Sequence, residues 1–284
     1  MSTVDHPPET KLRHLHEITI ARRRRAFPDL IELWQHREIV YFLALRDITV
    51  RYRQAVLGIL WVVIQPLVSM GVFTLVFDNV GGITTGTTPY PLFVLAGLVP
   101  WSFFARSVTG MTGSLTSNAA LVGKVYFSRL AIPLAVIMGA GVDLAVGCVV
   151  LFAAILISGQ PISPAIAVLP VFLALLAIGT TGVGLLMAAT NVRFRDVGHM
   201  VPFALQTLLF LTPVIYPASL LPSVLQPFVA LNPMFGVVEG MRWSVLGIVP
   251  DWSGVAISTI SAVVFAVAGL FVFARVERTF ADIV

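Results

Sequence analysis

The chain has 284 residues, 57% of them hydrophobic and 11% charged, whereas a soluble domain carries about a quarter charged residues. Of its 18 basic and 14 acidic side chains, 17 lie in residues 1–53, so the remainder cannot present a polar surface and its solvent is lipid. A cytosolic enzyme, a disordered chain and a secreted disulfide scaffold are excluded; the single cysteine, Cys148, sits in an apolar run.

Residues 1–28 are polar and basic and are predicted to form a mobile cytoplasmic tail. Arg22–Arg25 lead into Phe27-Pro28-Asp29 rather than a short apolar core, so no cleavable signal peptide is expected. From residue 29 to 54, Leu30, Leu33, Trp34, Tyr41, Leu45, Ile48 and Tyr52 recur at helical spacing. They predict an amphipathic helix lying in the headgroup layer, with Arg37 and Arg51 intruding on its stripe. Residues 55–284 are predicted as an all-α membrane domain. Six stretches are long and apolar enough to cross: Leu57–Phe77, Pro91–Met111, Ala131–Ile157, Ala165–Ala189, Gly198–Tyr216 and Ser253–Ala274.

Positive charge orients them. Ten Lys/Arg precede the first span, and Lys124, Arg129, Arg193, Arg195, Arg275 and Arg278 fall in loops or the tail on that same side. Opposite them stands only Arg242, which predicts both termini in the cytoplasm. The apolar segment Pro217–Asp251 is interrupted by Pro222, Pro227 and Pro233. A seventh crossing there would put Arg275 and Arg278 outside. Leu220–Leu231 and Met234–Leu246 are therefore predicted as short helices that enter from outside and turn back at Asn232-Pro233. A helix pair packed on the outer face is the alternative.

Chemistry is sparse. The sequence contains no His-Glu-x-x-His, no paired cysteines, no nucleophile elbow and no phosphate loop; Gly123-Lys124 is followed by Val125 and lacks the earlier glycine. Two ionisable groups fall deep in the bilayer, Asp143 in span three and, nearer the cytoplasmic end of span two, Arg106. Asp143 is open to three readings: a proton-coupling carboxylate, a pore-lining group, or a buried side chain protonated or paired with Ser, Thr or Arg. A lone acid without a companion base favours the last, and Arg106 is expected to snorkel. Trp61, Phe73, Trp101 and Phe210 lie inside spans, where aromatic faces suit sugar rings or acyl chains as well as helix packing. Gly179, Gly182, Gly184 and Ala188 read as close helix contacts.

Arg51-Tyr52-Arg53, Leu57–Trp61 and Gln65-Pro66-Leu67 resemble the opening of ABC-2 type permeases that export polysaccharides, those for O-antigen and teichoic acid among them. The resemblance continues through Leu92–Trp101, Asn118…Leu121–Arg129…Pro133 and Asn191–Val197. It closes with Thr212–Pro217 and Asn232-Pro233, covering about residues 30–275 in order. It implies a homodimer of six-span subunits around a channel, with two copies of a separate ATPase subunit on the cytoplasmic face. No cofactor is then expected in this chain, and ATP and Mg2+ belong to the partner. It also implies a coupling helix at Asn118–Arg129 (Asn118, Lys124, Phe127, Arg129) beside the loop of Arg193, Arg195 and Asp196. Spans one and five are implied to line the channel, and the aromatics Trp61, Phe73, Trp101 and Phe210 are the candidates for weak, sliding contacts with the polymer. Tyr216, Pro217, Asn232 and Pro233 fall on an outer gate, and Trp34, Arg51 and Arg53 on the cytoplasmic entrance. The implied substrate is a polyprenyl-diphosphate-linked polysaccharide; membrane lipids are the surroundings and nucleic acid is no partner.

Two other functions fit the same residues. One is an ABC-2 exporter of a lipid or small hydrophobic compound. The other is a proton-coupled carrier, which predicts transport without an ATPase and loss on Asp143→Asn, whereas a polysaccharide permease predicts tolerance of that change.

Overall fold

The computed structural model describes residues 34, 37–53, 60–82, 84–86, 88–119 and 128–277. The predicted tail, residues 1–28, and Lys124, Phe127 and Arg278 lie outside the described residues. Nine α-helices are present among the described residues: α1 Arg37–Arg53, α2 Leu60–Phe73, α3 Tyr90–Ser117, α4 Ala131–Ile157, α5 Leu169–Arg193, α6 Val197–Leu211, α7 Gln226–Ala230, α8 Pro233–Leu246 and α9 Trp252–Glu277. A π-helical turn, Thr74–Val80, prolongs α2, and a 3-10 turn, Pro164–Val168, leads into α5.

α3 is the central post. Its run Leu92–Trp101 is apolar all round and buried all round, as expected of a helix enclosed by others. α4, α5 and α8 pack around it, and α5 and α9 form the most extensive pair. Small residues permit that approach: a Cβ added at Gly269 would stand 2.2 Å from the Gly182 carbonyl oxygen, and one at Gly184 would strike the Met111 sulfur. The predicted small-residue stripe thus faces neighbouring helices.

Among the described residues, five helices have the length and apolarity to cross a bilayer, namely those over 60–78, 90–117, 131–157, 164–193 and 252–277. The predicted fifth span, Gly198–Tyr216, differs. Its helix ends at Leu211 after 15 residues, about 22 Å at 1.5 Å per residue against a core of ~30 Å. Pro213 lacks an N–H and the residue before a proline is pushed out of the helical region; Thr212 has ψ 140°. The chain then runs irregularly to Pro217.

The outer pair also differs in detail. α8 begins at Pro233, one residue before the predicted Met234, with the Asn232 side chain accepting from the Met234 N–H at 3.0 Å. The predicted Leu220–Leu231 helix does not form as one piece. Pro222 and Pro227 divide it into a 3-10 turn at Ala218–Leu220 and the five-residue α7.

α1 is helical over Arg37–Arg53 but not amphipathic in the predicted sense. Val40, Leu43 and Ala44 are buried against the α4 side of the bundle, while Trp34, Tyr41 and Leu45 are exposed. Apolar residues cover two faces of this helix, one turned to protein and one to its surroundings.

Candidate functional site

A cleft of about 700 Å³ opens between α2, α3 and α6. Phe73, Leu98, Trp101, Leu205 and Leu209 supply apolar wall; Ser69, Ser102, Thr109 and Gln206 add hydroxyl and amide groups. Arg51 and Arg106 stand at one part of its lining. Of the aromatics singled out from the sequence, Phe73 and Trp101 line this cleft. Trp61 and Phe210 do not; they are 58% and 50% exposed, pointing away from the packed body. Little of the first span is covered at all, since only 6% of its apolar window is buried.

At the cleft margin lies an ionic cluster. Arg51 of α1 donates to Asp143 Oδ2 at 2.8 Å, and Arg106 of α3 donates to the same oxygen at 2.5 Å. The Tyr52 hydroxyl donates to Asp143 Oδ1, and Arg106 donates a further bond to Gln65 Oε1 at 3.1 Å. Burial, then the carboxylate beside it, push the Tyr52 phenol up to about 12. Of the three readings of Asp143, the paired one describes this geometry. Arg106 does not snorkel to the headgroups; it turns to Asp143. The expectation that Asp143→Asn is tolerated changes accordingly, because an amide there leaves two adjacent cations without a counter-charge.

A second buried pair stands at the break after α6. Arg242 was counted from the sequence as an outside loop cation, yet it is 1% exposed. Its guanidinium donates to the carbonyls of Pro213 (2.6 Å), Val214 (2.5 Å) and Phe93 (3.2 Å) and to Glu239 at 3.4 Å, and it lies over the Phe93 ring. The Tyr90 hydroxyl donates to the Ile215 carbonyl at 2.6 Å. Irregular backbone in an apolar setting persists only where protein groups satisfy it, and Arg242 and Tyr90 do so here. Gly97 makes room: a Cβ there would lie 2.8 Å from the Val214 carbonyl oxygen.

The residues that the resemblance implies for an outer gate join this unit. Asn232 donates to Thr212 Oγ1 at 2.6 Å, tying the start of α8 to the end of α6, and the Tyr216 hydroxyl donates to Phe210 and Leu211 carbonyls. Pro233 is buried and Pro217 half-buried.

At the other end of the bundle, Arg46 of α1 donates to Asn118 Oδ1 at 2.9 Å, beside the C-terminus of α3. Asn191 donates to the Thr112 carbonyl, and Arg129 to the carbonyl of Glu277, the last residue of α9. Arg193, Arg195, Asp196 and Arg53 are exposed. Asn118, Arg129 and the 193–196 loop thus share one end with α1; Lys124 and Phe127 are not among the described residues.

Arg242 and the partners of Asp143 are what the sequence left hidden. A signal existed: an Arg and a Glu three apart in a helix too short to cross, following a proline break that frees carbonyls. No spacing rule connects Arg51 with Asp143, 92 residues away.

Several apolar helices packed about a buried post, with an ion-pair cluster inside and an open cleft at the side, define a multi-pass membrane protein. The ABC-2 type transporter model matches residues 39–246, and the chain belongs to that family. It is similar to the O-antigen export system permease protein RfbA of Klebsiella pneumoniae, 26% identical over 247 residues, or 87% of this chain and 95% of the relative. The Myxococcus xanthus RfbA is 30% identical over 213 residues, covering 74% of this chain and 81% of that protein. The polysialic acid transport protein KpsM of Escherichia coli is 22% identical over 238 residues, 84% and 91% of the two chains.

Proposed function

We propose that this chain is the permease subunit of an ATP-driven exporter that carries a lipid-linked polysaccharide, of O-antigen, teichoic acid or galactan type, across the bacterial inner membrane. Two copies form the channel, two copies of a separate ATPase subunit bind and hydrolyse ATP with Mg2+, and both termini are cytoplasmic. The observation that carries this reading is the cleft itself. One of its walls is α2, which the rest of the chain leaves almost uncovered, so a second copy across α2 and α6 would turn two side clefts into one enclosed path. Similarity to permeases named for O-antigen export and polysialic acid transport supports a glycan as cargo.

The lining suits that cargo. Aromatic faces at Phe73 and Trp101, with hydroxyls at Ser69, Ser102 and Thr109, offer many weak contacts along which a polymer slides. Trp61 and Phe210 belong to the face given to the second copy. Asn118, Lys124, Phe127 and Arg129 receive the push of the ATPase, with Arg193, Arg195 and Asp196 beside them. That push shifts the population between closed and open channel. Tyr216, Pro217, Asn232 and Pro233 form the outer gate; Trp34, Arg51 and Arg53 rim the entrance. An exporter of small apolar compounds has less support, because polar and charged groups interrupt the cleft wall.

The test is depletion in the native cell. Loss of the chain leads to lipid-linked glycan accumulating on the cytoplasmic side, and export returns with the wild-type chain only when the ATPase keeps its phosphate-loop lysine. Export that continues with that lysine replaced by alanine overturns the proposal.

A further inference from the structure

We infer that Arg51 and Arg106 form a clamp for the diphosphate of a lipid-linked substrate, with Asp143 as the internal anion that occupies them when the cleft is empty. The identity of the lipid rests on the export reading above; the site rests on its own geometry. The two guanidiniums come from different elements, α1 and α3, and converge on one carboxylate at 2.8 and 2.5 Å. They are 34% and 31% exposed at their side chains and both line the cleft, whereas Asp143 is 7% exposed and is absent from the cleft lining. Among the described residues no other formally charged side chain lines this cleft. Whatever enters therefore meets two cations whose single counter-charge sits behind them.

That arrangement fits a phosphate better than an uncharged sugar. Guanidinium forks match phosphate oxygens in pairs, and the Arg pair is fixed in advance. Gln65 accepts from Arg106 and so orients its plane. A diphosphate, carrying at least two negative charges, competes with a single carboxylate for both arginines. Asp143 is not left bare when it yields, because the Tyr52 hydroxyl holds its other oxygen and a cavity of about 30 Å³ adjoins it, with Gln65 and Arg106 also in its wall, room enough for water. Arrival of the headgroup would also draw Arg51 off α4, loosening the contact between α1 and the bundle at the moment of loading.

The experiment uses the full chain in phosphatidylcholine nanodiscs, with undecaprenyl diphosphate, undecaprenol and inorganic pyrophosphate as probes and native mass spectrometry as readout. The expected result is at least tenfold tighter binding of the diphosphate than of undecaprenol. Arg51→Gln and Arg106→Gln each remove most of that preference, and Arg106→Lys keeps more of it than Arg106→Gln. Competition by pyrophosphate that disappears in the Gln variants assigns the site to the diphosphate group alone. Arg-dependent binding without such competition assigns it to diphosphate presented on a lipid. Equal binding of undecaprenol, or an unchanged preference in monodisperse Gln and Lys variants, overturns the inference. Loss of the site with glycan export intact leaves the export reading standing. Arg-dependent binding in a chain that exports no glycan does the reverse.

Discussion

Arg242 joins three carbonyls and Glu239 in a pocket closed to water. Methionine there keeps the length of the side chain and loses every donor. Breaking a buried pair by removing one partner costs about 3–5 kcal/mol, which for a chain of this size lowers the unfolding midpoint by roughly 10 °C. Scanning fluorimetry of Arg242→Met in detergent should show that fall, and Glu239→Gln a smaller one, because the amide oxygen still accepts. An unchanged midpoint for Arg242→Met would mean that the irregular segment after α6 needs no side-chain support. Tyr52 gives a pH-dependent counterpart. Its phenol is raised from an ordinary 10 to about 12, so its bond to Asp143 contributes fully below pH 10 and is lost as pH rises toward 12. The stability difference between wild type and Tyr52→Phe should stay constant up to pH 10 and close above it; a difference that closes near neutrality contradicts the assignment.

At the scale of elements, the apolar runs spoke plainly because helices that must satisfy their own backbone need about 20 apolar residues. α4 spans Ala131–Ile157 as predicted, and α9 extends the predicted span by only a few residues. What the runs concealed was the end of α6. Apolarity persists from Gly198 to Tyr216, and only Thr212-Pro213 tells the helix to stop; the donors that satisfy the carbonyls freed by that break, Tyr90 of α3 and Arg242 of α8, lie far away in sequence. The stripe on α1 misled for a related reason: a helix with protein on one side and lipid on another is apolar on both, so periodicity does not say which face is buried. The outer segment between α6 and α9 makes a topological prediction. In a Cys148→Ala background, Val224→Cys, at a position 74% exposed, should react with an impermeant maleimide added outside intact cells. Arg195→Cys should react only after the inner membrane is opened. The opposite pattern inverts the orientation that the charge bias assigned.

For the whole molecule, composition alone pointed to lipid as the solvent, and the ordered motifs over about residues 30–275 pointed to the family whose model matches residues 39–246. The cleft was legible only in part. Phe73 and Trp101 were singled out as aromatics inside spans, but the same rule also picked Trp61 and Phe210, which do not line the cleft, whereas Arg51, Arg106 and Asp143 came together only through packing of α1 and α3 on α4. The division of labour between a channel-forming chain and a separate ATPase is tested most directly by transport into inverted inner-membrane vesicles. With the chain, its ATPase and a lipid-linked glycan on the outer, cytoplasm-derived face, glycan should reach the lumen only when ATP is supplied and both subunits are present. Lumenal glycan driven by a proton gradient without the ATPase, and abolished by Asp143→Asn, would make this chain a proton-coupled carrier instead.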